Sequence, residues 1–283
     1  MMKQVNFNGT TLPAIGIGTW HMGDSPQTYT QEKATILYGL QHGATVIDTA
    51  EMYGEGNAEK LVGDVLQNFD RSKVFLISKF YPQNATKDKM KQALNRSLKR
   101  LKTDYLDLYL LHWRGPVPLA ETVAGLVELQ KAGKIRYWGV SNFDTADLKE
   151  LYAQPQGDQV FANEDLYNLA NRGIEYDLLP WQRRHQLPLI AYAPIDQGDS
   201  RGQKLTKNST IQQIAQAHQV TPMQILLAWT IQAKDIMAIP QTSNVDHMKQ
   251  NILVGGIDLS NQEMQQIDSQ FSAPVFKQPL QMI

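Results

Sequence analysis

The chain has 283 residues, 42% of them apolar, with a formal net charge of -1 and no cysteine. That is enough apolar material for a large core, and the near-neutral balance leaves no electrostatic footprint for nucleic acid or an anionic membrane surface. Without cysteine there are no disulfides, thiolate metal ligands or cysteine nucleophiles, which fits a reducing cytosol.

The first residues, from Met1 to Asn6, lead into no long apolar stretch, so no signal peptide is expected. Apolar runs such as that from Ile225 to Trp229 are too short to span a bilayer. Phe7-Asn8-Gly9-Thr10 carries an Asn-Gly hairpin signal and predicts a small lid on a barrel floor. Short apolar segments then recur at roughly thirty-residue intervals, at 15–18, 45–48, 74–79, 108–112, 137–142, 160–164, 189–192 and 237–240. They are apolar on both faces, as parallel strands buried from two sides are.

Helices are expected between them. The spacing of Leu61, Val62, Val65, Leu66 and Phe69 predicts one with Asn57 as its cap, and Thr86 precedes a stripe of Met90, Leu94, Leu98 and Leu101. Pro118 is expected at the first position of a third helix that Gly133 closes, and Gly43 closes the first in the same way. Two further helical patterns follow Pro240, at 245–253 and 261–271. Eight strands with intervening helices predict a single (β/α)8 barrel domain over 1–283, with an N-terminal β-hairpin and extra C-terminal helices. A doubly wound sheet is the rival, but it usually needs fewer strands.

On the barrel reading, Asp48, Lys79, His112, Ser141-Asn142, Glu164, Tyr192 and Gln241 end successive strands and ring the mouth where such folds keep their chemistry. A carboxylate, an amine and an imidazole on three consecutive strand ends, with Tyr53 just beyond the first, can converge on one pocket. Asp48 would hold Lys79 charged, and Lys79 would lower the proton affinity of Tyr53 so that it donates a proton near neutral pH. That is chemistry suited to carbonyl reduction.

Gly16-Ile-Gly18-Thr19-Trp20, Asp48-Thr-Ala-Glu-Met-Tyr53-Gly54, Ile77-Ser-Lys79, Leu110-Leu-His112-Trp113, Gly139-Val-Ser141-Asn142-Phe143 and Ala191-Tyr192-Ala-Pro194 together resemble the aldo-keto reductase superfamily. The likeness covers nearly the whole chain in order. The segments Leu111-His-Trp-Arg-Gly115 and Asn171-Arg-Gly-Ile-Glu-Tyr-Asp-Leu-Leu-Pro-Trp181 resemble bacterial members that reduce methylglyoxal and other small aldehydes.

The resemblance implies hydride transfer from a nicotinamide cofactor to a small carbonyl substrate, with Asp48, Tyr53, Lys79 and His112 as the catalytic set. It implies cofactor contacts at Gly18, Thr19, Trp20, Asp48, Ser141, Asn142, Glu164, Tyr192, Pro194, Ile195, Gln241, Thr242, His247, Gln250 and Asn251. Trp20, Tyr53, His112 and Trp113 are expected to meet the substrate; Met22 and Tyr81, which follow strand ends, either add to the pocket wall or pack in the core or rim, the two readings being about equal; and no metal is expected. A monomer in the cytoplasm is expected, with no nucleic-acid or membrane partner.

Two departures stand out. Position 164 is Glu where the family usually has Gln; ionised, it would favour the positively charged oxidised cofactor. After the last strand, Gln241, Thr242 and His247 stand where the family commonly places Lys, Ser and Arg to grip a 2′-phosphate, with Thr242, His247 and Lys249 as the residues that could compensate. NADP(H) is expected first and NAD(H) second. The short tail from Ala273 to Ile283 suggests an open pocket with broad substrate tolerance.

Gly16-Ile17-Gly18 lacks the third glycine of a dinucleotide fingerprint and reads as a tight strand-end turn. A non-catalytic nicotinamide-sensing subunit would keep a similar set of residues, although no basic or helical arm precedes Lys3. A metal-dependent hydrolase using Asp48, Glu51 and His112 lacks ligand-spaced histidines.

Overall fold

The structure is a computed structural model that describes residues 2–196 and 202–283. It opens with β1 (Gln4–Phe7) and β2 (Thr10–Pro13), paired antiparallel with Phe7 opposite Thr10. Asn8 and Gly9 take φ of 50° and 86°, the positive pair that a two-residue hairpin turn requires and Asn-Gly supplies most readily. The hairpin covers the N-terminal ends of the strands that follow. Asn8 Nδ2 donates to the Phe161 carbonyl at 3.2 Å, and the Phe7 and Phe161 rings lie 6.1 Å apart.

The eight parallel strands are β3 (Ile17–Gly18), β4 (Val46–Asp48), β5 (Phe75–Phe80), β6 (Leu106–Leu111), β7 (Ile135–Ser141), β8 (Asn163–Leu166), β9 (Leu189–Tyr192) and β10 (Ile236–Ala238). Each pairs with its neighbour in sequence. The two ends also meet, because the Gly16 N–H donates to the Ala238 carbonyl at 2.8 Å and the Gly18 N–H to the Pro240 carbonyl at 3.1 Å. Parallel bridges from Ile15 to Ala238 and from Gly18 to Gln241 complete the closure into a barrel. The seam needs glycine: a Cβ on Gly18 would lie 2.6 Å from the Ile239 carbonyl oxygen. Sheet burial from both sides explains the unbroken apolar runs, with β6 buried at every position.

Helices α1 (Tyr29–Gln41), α2 (Asn57–Leu66), α3 (Lys87–Leu101), α4 (Leu119–Lys131), α5 (Thr145–Tyr152) and α6 (Leu178–Arg184) alternate with β3 to β9. Helices α7 (Gly202–Thr206), α8 (Ser209–His218) and α9 (Pro222–Thr230) precede β10; α10 (Val245–Leu253) then packs beside α1, and α11 (Asn261–Gln270) beside α8. Among the described residues no helix is long and apolar enough to cross a membrane.

Three local expectations shift. Gly56, at φ 88°, caps α2, and Asn57 is its first helical residue, accepting from Lys60 Nζ at 3.1 Å. Pro118 is the N-cap of α4 and not its first helical residue. Strand β8 starts at Asn163, after a 3-10 turn at Gly157–Gln159, and runs to Leu166. Glu164 therefore lies inside its strand and not at the end. Gly43 and Gly133 follow α1 and α4 at φ 98° and 68°, the left-handed stops expected of them.

Candidate active site

Lys79, near the end of β5, is fully buried, and its ammonium collects acceptors from three directions. Nζ donates to Asp48 Oδ1 and Oδ2 at 2.6 and 2.7 Å, to the Thr49 carbonyl at 3.1 Å and to the Tyr53 hydroxyl at 3.1 Å. Glu164 Oε1 lies 3.4 Å from the same nitrogen. The register explains the convergence: Asp48 pairs with Ile77 across β4 and β5, so Lys79 rises two residues further on the same face.

Tyr53 arrives by a turn and not by a strand. It opens a 3-10 turn at Tyr53–Gly56 in which Gly54 has φ 55°, and a Cβ on Gly54 would lie only 1.9 Å from Asp24 Oδ1. His112 directly follows β6, with its N–H bonded to the Phe80 carbonyl at 3.1 Å, and its ring meets Tyr53 edge-on at 5.9 Å. All four predicted catalytic side chains therefore surround one point at the C-terminal mouth.

Charges set the protonation states. Burial pushes the His112 imidazole down to about 3, and the nearby Lys79 charge adds to the effect, so the ring is neutral at physiological pH. Burial opposes the charge of Lys79, but Asp48, Glu164 and Tyr53 together hold its ammonium above the usual range. Tyr53 departs from expectation. Burial raises the phenol, Lys79 lowers it, and Asp48 and Glu164 raise it again, so the net shift is upward. Lys79 acts in the expected direction, but desolvation outweighs it.

The remaining mouth residues form one network. Ser141 Oγ donates to the Glu164 carbonyl at 2.9 Å, as does the Asn142 N–H at 2.9 Å. Asn142, in the left-handed region at φ 57°, donates from Nδ2 to the His112 carbonyl and to Ser141 Oγ, both at 3.0 Å. The Tyr192 hydroxyl donates to Asn142 Oδ1 at 2.8 Å. Glu164 is buried, its Oε2 has no hydrogen-bond partner, and burial followed by repulsion from Asp48 holds its carboxyl well above the usual range. An ionised Glu164, the sequence expectation, is thus not the state this environment favours.

Further round the mouth, Thr19 Oγ1 donates to the Asp48 carbonyl at 2.8 Å, and Trp20 stacks on His21 with centroids 4.3 Å apart. Trp113 lies edge-on to Tyr81 at 5.9 Å and 4.9 Å from the His112 ring. Met22 is fully buried and belongs to the core, so it walls no pocket. After β9, Pro194 accepts from Thr230 Oγ1 at 3.1 Å, and Ile195 continues the same loop. At the seam Gln241 is exposed while Thr242 is buried, with its Oγ1 accepting from the Asn244 N–H at 3.1 Å. His247 is exposed in the first turn of α10, and Gln250 and Asn251 follow on the same helix. Lys249 pairs with Asp246 at 2.8 Å on the exposed face of the same helix.

Several contacts have no signal in the sequence. The Thr49 carbonyl is a backbone acceptor, which side-chain identity does not announce. Glu51 accepts from the Tyr81 N–H at 2.9 Å and from Asn84 Nδ2 at 2.7 Å, a tie between two mouth loops. The tail, though short, is anchored by Lys277 on Asp177 at 3.2 Å, and Ile283 brings its backbone to the Tyr192 hydroxyl. The mouth is therefore less open on that side than the tail's length suggests.

The donor set suits a nicotinamide dinucleotide. Glu164 Oε2 is an orphaned buried polar atom beside the convergence point, and the exposed polar groups of Gln241 and His247 lead away from it along the seam.

Known proteins resemble this chain over nearly its whole length. The sequence profile of the Aldo/keto reductase family matches residues 14–270. Methylglyoxal reductase YeaE of Escherichia coli (strain K12) is 47% identical over 282 residues, covering 99% of each chain. An aldo/keto reductase from Klebsiella pneumoniae, crystallised with NADP and acetate, superposes with a TM-score of 0.97 at 45% identity over 100% of both chains. A second structure of an aldo-keto reductase from that organism, with NADPH, gives the same values.

Proposed function

Since the chain belongs to the aldo/keto reductase family and is an NAD(P)H-dependent oxidoreductase, we propose that it reduces small aldehydes and ketones such as methylglyoxal, with Tyr53 as general acid. One observation carries the reading: Lys79 Nζ links both oxygens of Asp48 to the Tyr53 hydroxyl, with neutral His112 beside it.

The cofactor, when bound, supplies hydride to the carbonyl carbon. The protein's own groups do the rest. His112 donates a hydrogen bond to the carbonyl oxygen; because its ring is neutral, it orients and polarises that oxygen without competing to protonate it. Tyr53 gives its proton to the oxygen as negative charge develops there. Lys79 stabilises the phenolate that remains, and Asp48 keeps Lys79 charged. Before reaction the phenol holds its proton firmly, and Lys79 supplies the positive charge that offsets the phenolate as the proton leaves.

Ser141, Asn142 and Glu164 would hold the nicotinamide end, with Tyr192 beneath the ring and Asp48 behind it. Gly18, Thr19 and Trp20 would border it on the far side of the seam. Pro194 and Ile195 would line the path of the phosphates, Gln241, Thr242 and His247 would meet the 2′-phosphate, and Gln250 and Asn251 the adenine. Trp20 and Trp113, with Tyr53 and His112, would wall the substrate. NADP(H) is the favoured cofactor, in line with the two Klebsiella structures, and NAD(H) is the second choice because the proposed 2′-phosphate positions 241, 242 and 247 are Gln, Thr and His.

The test is consumption of each reduced cofactor with methylglyoxal and a panel of small aldehydes and ketones. Tyr53→Phe should bind cofactor as before and lose ~10²–10⁴-fold in turnover. Turnover like the parent's would remove Tyr53 from the role.

A further inference from the structure

Two buried carboxyl groups share one buried ammonium. Asp48 holds Lys79 Nζ at 2.6 and 2.7 Å, and Glu164 Oε1 stands 3.4 Å from it. Among the described residues, Lys79 is the only cation within ion-pair distance of either carboxyl. If all three were ionised, the cluster would carry an unbalanced negative charge away from water, a state that proteins avoid by taking up a proton. Burial raises the Asp48 carboxyl too, but Lys79, through two short charge-assisted contacts, and a hydrogen bond with Glu164 oppose this, so Asp48 keeps its charge. Glu164, with one longer contact and an unpartnered Oε2, is where the proton goes.

The titratable groups that face Glu164 are Asp48 on β4, Lys79 on β5, Tyr53 on the turn after β4 and Tyr192 on β9. Ser141 and Asn142 on β7 bring no charge, and His112 beside Lys79 is neutral. Nothing in that set can follow the charge of a ligand as readily as Glu164.

Carbonyl reduction adds hydride and proton to two bonded atoms, so the nicotinamide ring must lie within a few ångströms of the Tyr53 hydroxyl and hence of this cluster. The ring is neutral when reduced and carries one positive charge when oxidised. We propose that Glu164 is a proton site tied to that charge: protonated when the mouth is empty or holds reduced nicotinamide, and deprotonated when it holds the oxidised form. On binding of the oxidised form the O–H bond of the Glu164 carboxyl breaks and the proton passes to water. No electrons move, and the carboxylate left behind balances the ring while Lys79 stays with Asp48. The preference for oxidised cofactor expected of an ionised Glu164 thus becomes pH-dependent. Releasing a proton makes oxidised-cofactor affinity, relative to reduced, rise with pH by up to about tenfold per unit while the empty site still holds that proton.

The inference rests on the carbonyl-reductase reading, and calorimetric titration of the whole protein separates the two. Binding of NADP⁺ and of NADPH is measured in buffers of different ionisation enthalpy between about pH 6 and 9. Wild type should release up to about one more proton with NADP⁺ than with NADPH; the 2′-phosphate, common to both, cancels in the difference. Glu164→Gln should bind both cofactors and lose the difference, whereas Tyr53→Phe should keep it, which separates the carboxyl from the phenol. The infrared difference spectrum of wild type should also lose a protonated-carboxyl band on NADP⁺ binding, a readout that needs no variant. Equal proton counts in wild type, or a difference that survives in Glu164→Gln, would overturn the proposal and leave the reductase reading intact. Failure to bind either cofactor would sink that reading and this inference with it.

Discussion

At Tyr53 and His112 the same ammonium works with burial in one case and against it in the other. Burial and Lys79 both disfavour a charged imidazole, so His112 stays neutral, whereas at Tyr53 burial raises the phenol and Lys79 only partly offsets it. The assignment for His112 is testable apart from catalysis: its ring proton resonances should show no titration between about pH 5 and 8, where an unperturbed histidine changes charge. A midpoint near 6.5 would place the ring in a more solvated, differently charged site. Cofactor selectivity is also a single-residue matter. Gln241 is exposed next to the seam, and the nearby Lys249 pairs with Asp246 in an exposed contact. A charge-assisted bond to phosphate contributes about 1.5–3 kcal/mol, so Gln241→Lys should raise the preference for NADPH over NADH by roughly tenfold or more. Steady-state kinetics with both cofactors decide it; an unchanged ratio would mean that position 241 does not reach the phosphate.

At the level of elements, the barrel was legible because strands buried on both faces leave unbroken apolar runs, and because Asn8-Gly9 permits little else than a tight hairpin. Asp48, Lys79 and His112 of the proposed catalytic set were legible because they stand at or just after strand ends, whereas Tyr53 stands on a turn and was picked out by the family resemblance. What the sequence hid depends on backbone geometry: the Gly56 cap of α2, the late start of β8 that puts Glu164 inside its strand, and the Thr49 carbonyl that completes the shell around Lys79. The protonation of Glu164 was hidden for a different reason, since it follows from a 3.4 Å approach between residues 85 positions apart by number, Lys79 and Glu164. Barrel closure offers a direct test at this scale. Gly18 pairs with Asp48 on one side and bridges to Gln241 on the other, and a Cβ there would meet the Ile239 carbonyl at 2.6 Å. Backbone against backbone gives little room to yield, so Gly18→Ala should cost ~1–3 kcal/mol in denaturant unfolding and displace Asp48. An unchanged unfolding midpoint would show that the seam yields to the added methyl group.

For the molecule as a whole, buried carboxyl groups shape the dependence of stability on pH. Asp165, which alternates with Glu164 along β8 and so points to the opposite face of the sheet, is fully buried. Its Oδ2 accepts from Asn163 Nδ2 at 2.6 Å, but Oδ1 has no partner, and among the described residues no cation lies within ion-pair distance. Burial holds the carboxyl well above the usual range; the Asn163 hydrogen bond opposes this, and the charges of Asp144 and Asp147 reinforce it. The sign follows from proton counting. Above the unfolded value of about 3.9 the unfolded chain loses this proton while the native state keeps it, so stability falls as pH rises, by up to ~1.4 kcal/mol per unit, until the native group also ionises. Asparagine cannot ionise and is nearly the same size. Asp165→Asn should therefore flatten that slope and leave the protein more stable than the parent at neutral pH, with the advantage fading toward about pH 4. Unfolding midpoints in denaturant across that range measure it. A variant less stable than the parent at neutral pH would mean that Asp165 is ionised in the native state and paired with something that compensates its charge.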